Sequence, residues 1–127
     1  MNAGDTILIP LPDTSYDSHL WMVISDPRQG EECVIVNFTS WRADKDLACV
    51  VEPGEHRYVS KRTCVNFKDA KKCKTADLDN LVASKHLKNS DPLSKELLAK
   101  IRRAVPQSRM NWACVQLLMD QGLVPLD

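Results

Sequence analysis

Two apolar runs of β type dominate the first half of the chain, at residues 20–25 and 34–40. The polar segment 26–32 between them contains a proline and a glycine, which predicts a hairpin loop. Folding the chain about Gln29 pairs residues whose numbers add up to about 58. The pattern therefore predicts two neighbouring antiparallel strands with a definite register.

In this register His19 lies opposite Thr39, at the end of the hairpin far from its loop. Ser40, Trp41 and Arg42 follow Thr39 directly. One strand end is thus expected to gather an imidazole, two hydroxyls, an indole and a guanidinium. No other stretch of the sequence is as suggestive of chemistry.

Four more short runs have the composition of strands, and residues 11–18 between two of the strands predict a polar loop. Pro53 and Gly54 suit the two central positions of a type II turn. Six short β segments within about 65 residues favour a small, strongly bent barrel. The additional strands are predicted at residues 6–9, 48–51, 56–59 and 63–67.

The periodicity becomes helical after Phe67, and three helices are predicted. Thr75 caps the first helix, over residues 76–86, whereas Asp91 caps the second and Pro92 takes its first position. The second helix ends at a proline, Pro106, and the third runs from Ser108 to a left-handed cap at Gly122. The second helix has an apolar stripe of Leu93, Leu97, Leu98, Ile101 and Val105.

The third helix has little polar surface, so we expect it to pack inside the fold or against another subunit. The predicted fold class is mainly β with C-terminal helices. Residues 1–127 form a single domain, with a barrel at 4–67 and a helical extension at 75–122. The apolar residues of the third helix are Met110, Trp112, Cys114, Val115, Leu117, Leu118 and Met119.

The composition is that of a soluble globular domain, with 43% hydrophobic and 27% charged residues among 127. No apolar run approaches the roughly 20 residues that span a bilayer, and no signal peptide is recognisable. We therefore expect a cytoplasmic protein that does not contact membranes.

The five cysteines have no CxxC spacing, so we expect reduced thiols and no zinc site. Neither a metal nor an organic cofactor is predicted. These residues are Cys33, Cys49, Cys64, Cys73 and Cys114.

The net charge is zero, but residues 1–59 hold ten acids and four bases, whereas residues 60–127 hold seven acids and thirteen bases. A basic strip lies at the start of the second half. It indicates either a binding surface for phosphates or an acidic partner, or a solvated face that complements the acidic half. The strip comprises Lys61, Arg62, Lys68, Lys71, Lys72 and Lys74.

Residues 4–67 resemble the MazF/PemK (Kid) family of toxin endoribonucleases, which share an SH3-like barrel with the CcdB toxins. The resemblance rests on Gly4 and Asp5 before the first strand, on the strand 20–25 ending in Val-Ile-Ser, and on Thr39 and Ser40 ending the next strand. It implies an SH3-like barrel, metal-free cleavage of single-stranded RNA, a homodimer, and an antitoxin whose disordered tail fills the RNA groove.

The resemblance assigns the family's catalytic threonine to Thr39. The family's catalytic arginine precedes the second strand, where this chain has Ser18 and His19. His19 has a pKa range suited to acid–base catalysis and could replace that arginine. His56 could be its complementary partner if the barrel brings both to one mouth. A structural role for either histidine is the alternative.

Phosphate binding could involve Thr39 and Ser40, with Arg42 or Lys61 neutralising the developing charge. Trp41 could stack on a splayed base, as Trp21 could if it is not a core residue. The leading hypothesis is a toxin-like endoribonuclease that forms a 2′,3′-cyclic phosphate. The alternatives are a non-catalytic SH3-like protein-binding module and a CcdB-like topoisomerase poison.

Overall fold

The computed structural model of the protein describes residues 1–10 and 18–124, with Ser18 described by its backbone alone. The predicted loop 11–18 therefore lies almost wholly outside the described residues. The strands are β1 (Thr6–Pro10), β2 (Ser18–Val23), β3 (Glu32–Ser40), β4 (Val50–Val51), β5 (Thr63–Lys74) and β6 (Lys88–Ser90). The helices are α1 (Thr75–Ala83), α2 (Lys95–Ala104) and α3 (Trp112–Asp120), with 3-10 turns at Pro27–Gln29 and Val105–Gln107.

The six strands form one antiparallel sheet in the order β4-β5-β3-β2-β1-β6, which curls into a half-barrel. The three helices pack on this sheet, so the predicted class of a small β fold with C-terminal helices is confirmed. Strand β6 comes from the segment predicted as purely helical, and it pairs with β1 at the sheet edge.

The hairpin of β2 and β3 has the predicted register. Trp21 pairs with Asn37 and Val23 pairs with Ile35, so the paired numbers add up to 58. In the loop, the carboxylate of Asp26 accepts a hydrogen bond from a backbone N–H and orders the 3-10 turn. The hairpin loop predicted from the proline and glycine of this segment is therefore confirmed.

Alternate residues of the central strands belong to two separate apolar clusters, because successive side chains of a strand point to opposite faces. The major face carries Leu20, Met22, Val34, Val36 and Phe38 and packs on α2 and α3. The minor face carries Trp21, Val23, Cys33 and Ile35 and packs on α1. Because both faces of the central strands are covered, the sequence of these strands is almost continuously apolar.

Three strand predictions need correction. Residues 56–59 form turns rather than a strand, and the strand predicted at 48–51 is reduced to two residues. Strand β5 continues seven residues beyond Phe67, through the lysine-rich stretch. Its pairing with β3 contains a bulge, because Asn37 pairs with Asn66 whereas Ile35 pairs with Lys71. The high lysine content of residues 68–74 made this part of the strand look like a solvated segment.

The helix caps also differ from the prediction. Helix α1 begins at Thr75, whose hydroxyl makes no capping bond, and ends at Ala83 rather than at residue 86. Helix α2 is capped by Ser94, whose hydroxyl accepts from the N–H of Leu97 at 3.1 Å. Asp91, the predicted cap, instead follows strand β6. Asp91 and Pro92 therefore lie between β6 and α2 and not at the start of the helix.

The apolar stripe of α2 and the end of α3 are as predicted. Four stripe residues are buried, and Leu98 is half-buried against the core. Gly122 adopts a φ of +72° directly after α3, which is the left-handed conformation that glycine favours. Among residues 1–10 and 18–124, no helix is long and apolar enough to cross a bilayer.

Removal of a core side chain from α2 tests whether helices and sheet fold together. Ile101 is fully buried in the major-face core, so Ile101→Ala should lower the free energy of unfolding by about 2–4 kcal/mol. Chemical denaturation followed by circular dichroism measures this. Lys95→Ala, at an exposed site on the same helix, should change it by less than about 0.5 kcal/mol. Two separate transitions would contradict a shared core.

Candidate functional site

His19 and Thr39 lie at the end of the minor face where the pairing of β2 with β3 stops. The paired residues nearest to them are Trp21 and Asn37. Continuing the same register by two residues brings His19 across from Thr39, and strand alternation turns both toward the minor face. His19 itself pairs with Ile9 of β1 and is half-buried. The sequence-predicted pairing is thus consistent with the hairpin.

The rest of this strand end is polar, unlike the opposite end of the minor face, which α1 covers. Trp21 is 8% exposed and therefore belongs to the core, the structural alternative for this residue. The ammonium group of Lys71 lies 5.9 Å from the centroid of the Trp21 ring. Such a cation over an indole face is attracted by the ring quadrupole. The lysine is thereby held over the polar end of the face.

Asn37 contributes an unusual buried polar group. The residue is 5% exposed, and its Oδ1 has no hydrogen-bond partner within the described part of the chain. A buried acceptor without a partner is costly, and such groups are rare in folded proteins. Nearby on β5, the Asn66 amide donates to the Asp69 carboxylate at 2.8 Å. The site therefore has one acceptor that a ligand N–H or O–H could satisfy.

The Thr39 hydroxyl is already oriented by a cation. Lys45 donates to Thr39 Oγ1 at 3.0 Å. Since this oxygen accepts a hydrogen bond from the lysine, the Thr39 hydroxyl can still donate its own hydrogen to another group. Lys45 keeps further N–H donors of its own. Together these two residues form a cationic donor pair of the kind that binds a phosphate oxygen.

The remaining predicted binding residues follow β3 into exposed loops. Ser40 is exposed, and Arg42 forms a two-pronged ion pair with Asp44 at 3.0 and 3.2 Å. Hydrogen bonds from Arg42 lower the pKa of the Asp44 carboxyl. Arg42 is thus partly neutralised, and Lys61, which is exposed, is the better cation for an incoming phosphate.

Trp41 is the exposed aromatic of this region, at 38% exposure. The guanidinium carbon of Arg62 lies 5.7 Å from its ring centroid, and Arg62 also pairs with Glu52 at 2.6 Å. The indole is therefore an exposed ring with a guanidinium near it.

His56 does not join His19 and Thr39. Its Nε2 hydrogen bonds to the carbonyl of Asp91 at 2.8 Å, and its Nδ1 accepts from the N–H of Tyr58 at 3.0 Å. Its ring also lies 6.2 Å from Phe38, a major-face residue. Because Thr39 follows Phe38 in the strand, it points to the opposite face. Both ring nitrogens of His56 are therefore engaged in hydrogen bonds to the backbone.

Sequence reasoning missed Asn37, Lys45 and Lys71. Asn37 was visible as an amide inside an apolar run, and that signal could have placed it at the site. Lys71 could not be placed, because the continuation of β5 past Phe67 was not predicted. Within the described ranges, no three His, Cys, Asp or Glu side chains cluster in a way that could hold a metal ion.

No protein-family model matches the chain, and no curated protein matches it either. The function is therefore inferred from the arrangement of these side chains.

Histidine replacement distinguishes a structural from a catalytic His56. His56→Ala removes the hydrogen bonds of the ring to the Asp91 carbonyl and the Tyr58 N–H and the packing of the buried ring near Phe38, so the free energy of unfolding should fall by about 2–3 kcal/mol. His86→Ala, at an exposed site, is the matched control and should change it by less than about 0.5 kcal/mol. Thermal and urea unfolding measure both variants. A fully stable His56→Ala protein would refute the structural role.

Proposed function

We propose that the protein is a toxin-like endoribonuclease that binds single-stranded RNA at the end of the minor face that carries His19 and Thr39 and cleaves it without a metal. The proposal rests on the hairpin register, which sets His19 across from Thr39 when it is continued by two residues beyond the pair of Trp21 and Asn37. Around them lie the donors and cations that a phosphodiester requires: Lys45, oriented on Thr39, and Lys71 over Trp21.

The chemistry requires a base for the 2′-hydroxyl proton, a donor for the 5′-oxygen, and stabilisation of the phosphorane. In our proposal His19 accepts the 2′-hydroxyl proton, and the 2′-oxygen attacks phosphorus. Thr39 and Lys45 hold a non-bridging oxygen. The 5′-oxygen leaves with a proton from the Lys45 ammonium group, which solvent later restores. The products are a 2′,3′-cyclic phosphate and a 5′-hydroxyl.

The partners follow from the same surface. Lys71 of β5 can bind a phosphate of an unpaired strand, and the Asn37 oxygen, which has no partner among the described residues, can accept a hydrogen bond from a base edge. An acidic, disordered antitoxin segment would meet the same cations, and it would compete with RNA. A homodimer in the cytoplasm completes the proposal by resemblance to the toxin family.

A second candidate is a non-catalytic SH3-like module that binds a protein. Two observations favour it: His56 is fully engaged away from the site, which leaves His19 as the one imidazole there among the described residues, and Trp112 at the start of α3 is 65% exposed. Co-purification of a partner without RNA products, and loss of that partner in Trp112→Ala, would favour this function.

Cleavage assays test the role of His19. The purified protein, in the presence of EDTA, should convert a labelled unstructured RNA into fragments with cyclic-phosphate and 5′-hydroxyl ends. His19→Ala should lower the rate by about 100-fold or more, because it removes the acid–base group. His86→Ala, purified in the same way, should retain the wild-type rate. Equal rates for both variants, or loss of cleavage in EDTA, would overturn the proposal.

Binding assays test the face to which RNA binds. Lys71 and Lys72 are neighbours on opposite faces of β5: Lys71 lies over Trp21, whereas Lys72 pairs with Glu32 at 3.8 Å. Lys71→Gln should weaken binding of a non-cleavable RNA about 3- to 10-fold and reduce the salt dependence by about one phosphate contact. Lys72→Gln should do neither. Fluorescence anisotropy at several salt concentrations measures this, and equal effects would place the RNA elsewhere.

A further inference from the structure

Two cysteines face each other across neighbouring strands on the minor face. Cys33 of β3 pairs directly with Cys73 of β5, and their sulfur atoms are 3.9 Å apart. Directly opposed residues in antiparallel strands have Cα atoms about 4.5–5.5 Å apart, within the 4.4–6.8 Å range of disulfides. The backbone is therefore already placed for a bond, and rotation of the side chains can close the gap between the sulfurs.

We propose that Cys33 and Cys73 form a reversible disulfide when the protein meets a hydroperoxide, which makes this pair an oxidative modification site. The pair lies outside the proposed RNA site, so the inference does not depend on RNA cleavage. It goes beyond the expectation that the five cysteines are reduced thiols.

The surroundings of the pair favour a reactive sulfur anion. The hydrogen bond from Cys73, and then the Thr75 hydroxyl, lower the pKa of the Cys33 thiol. The Thr75 oxygen is buried and has no hydrogen-bond partner among the described residues, so the hydroxyl can donate a hydrogen bond to the thiolate. The same hydrogen bond raises the pKa of the Cys73 thiol, so the charge lies on Cys33, while the half-buried Cys73 places the pair next to solvent.

The other three thiols lack these features. Burial raises the pKa of Cys49 to about 11, and it also raises the pKa values of Cys64 and Cys114. All three are buried and have no cysteine opposite them in a strand. Thiolate character and access control oxidation, so oxidant should select the Cys33–Cys73 pair.

The reaction balances with the hydroperoxide as the two-electron oxidant. The Cys33 thiolate attacks the terminal peroxide oxygen; an S–O bond forms, the O–O bond breaks, and the alcohol or water leaves with a proton from solvent. The Cys73 thiol then attacks the sulfenic sulfur of Cys33. The S–S bond forms, the S–O bond breaks, and hydroxide leaves as water with the Cys73 proton. A dithiol reductant restores both thiols.

The crosslink would join β3 and β5 next to their bulge. Lys71 lies two residues from Cys73 and pairs with Ile35 at the edge of that bulge. A bond between residues 40 positions apart restricts the unfolded chain strongly. Oxidation should therefore raise the Tm by roughly 5–15 °C and fix the strand that carries Lys71.

Thiol counting and peptide mapping test the proposal with the full chain. After treatment with hydrogen peroxide and removal of excess oxidant, the denatured monomer should contain two fewer thiols than the reduced protein. Non-reducing digestion should yield one crosslinked peptide joining Cys33 to Cys73. Dithiothreitol should restore all five thiols and the lower Tm.

Two variants provide the controls. Cys73→Ala, at the half-buried position, should lose both the crosslinked peptide and the rise in Tm. Cys64→Ser lies on the same strand and keeps a donor toward the Ser40 carbonyl, which Cys64 contacts at 3.8 Å; it should retain both. A different crosslink, an intermolecular disulfide, oxygenated cysteines without a crosslink, or an unchanged thiol count in the wild type would each overturn the proposal.

Discussion

The register between β2 and β3 is the constraint on which the rest of the structure depends. Strand β3 is paired on both sides, and its alternate residues belong to two different apolar clusters. A slip by one residue would exchange every side chain between the faces and expose both clusters. The same register that buries Val34 and Val36 therefore turns Asn37 and Thr39 toward the minor face.

Helix α1 covers one end of the minor face, and the polar residues Asn37 and Thr39 lie toward the other end. Met1, Leu78, Val82 and Leu87 pack at the covered end with the minor-face residues. Strand β5 passes across both ends, and it contributes Cys73 under the helix and Lys71 over Trp21. The bulge between these strands sets which β5 side chain reaches each position. The proposed RNA site and the cysteine pair are thus two consequences of one strand pairing.

Several details of the site followed from the sequence, and others could not. The hairpin register, from which the relation of His19 to Thr39 is extrapolated, was predictable because the apolar periodicity agrees with a loop that contains a proline and a glycine. The separation of His56 from the site was not predictable, since it depends on hydrogen bonds that His56 forms with Asp91 and Tyr58 in loops. Likewise, the ion pair of Arg42 with Asp44 depends on a local loop conformation that periodicity does not describe.

The sequence by itself determined the hairpin, the apolar stripe of α2 and the left-handed end of α3 at Gly122. These features depend on local periodicity and on backbone preferences of single residues. The tertiary structure alone decided the length of β5, the pairing of β6 with β1 and the meeting of Cys33 with Cys73. Each of these joins segments distant in sequence. Such pairings are fixed by burial of shared apolar surface and by backbone hydrogen bonding across the sheet, which no local pattern encodes.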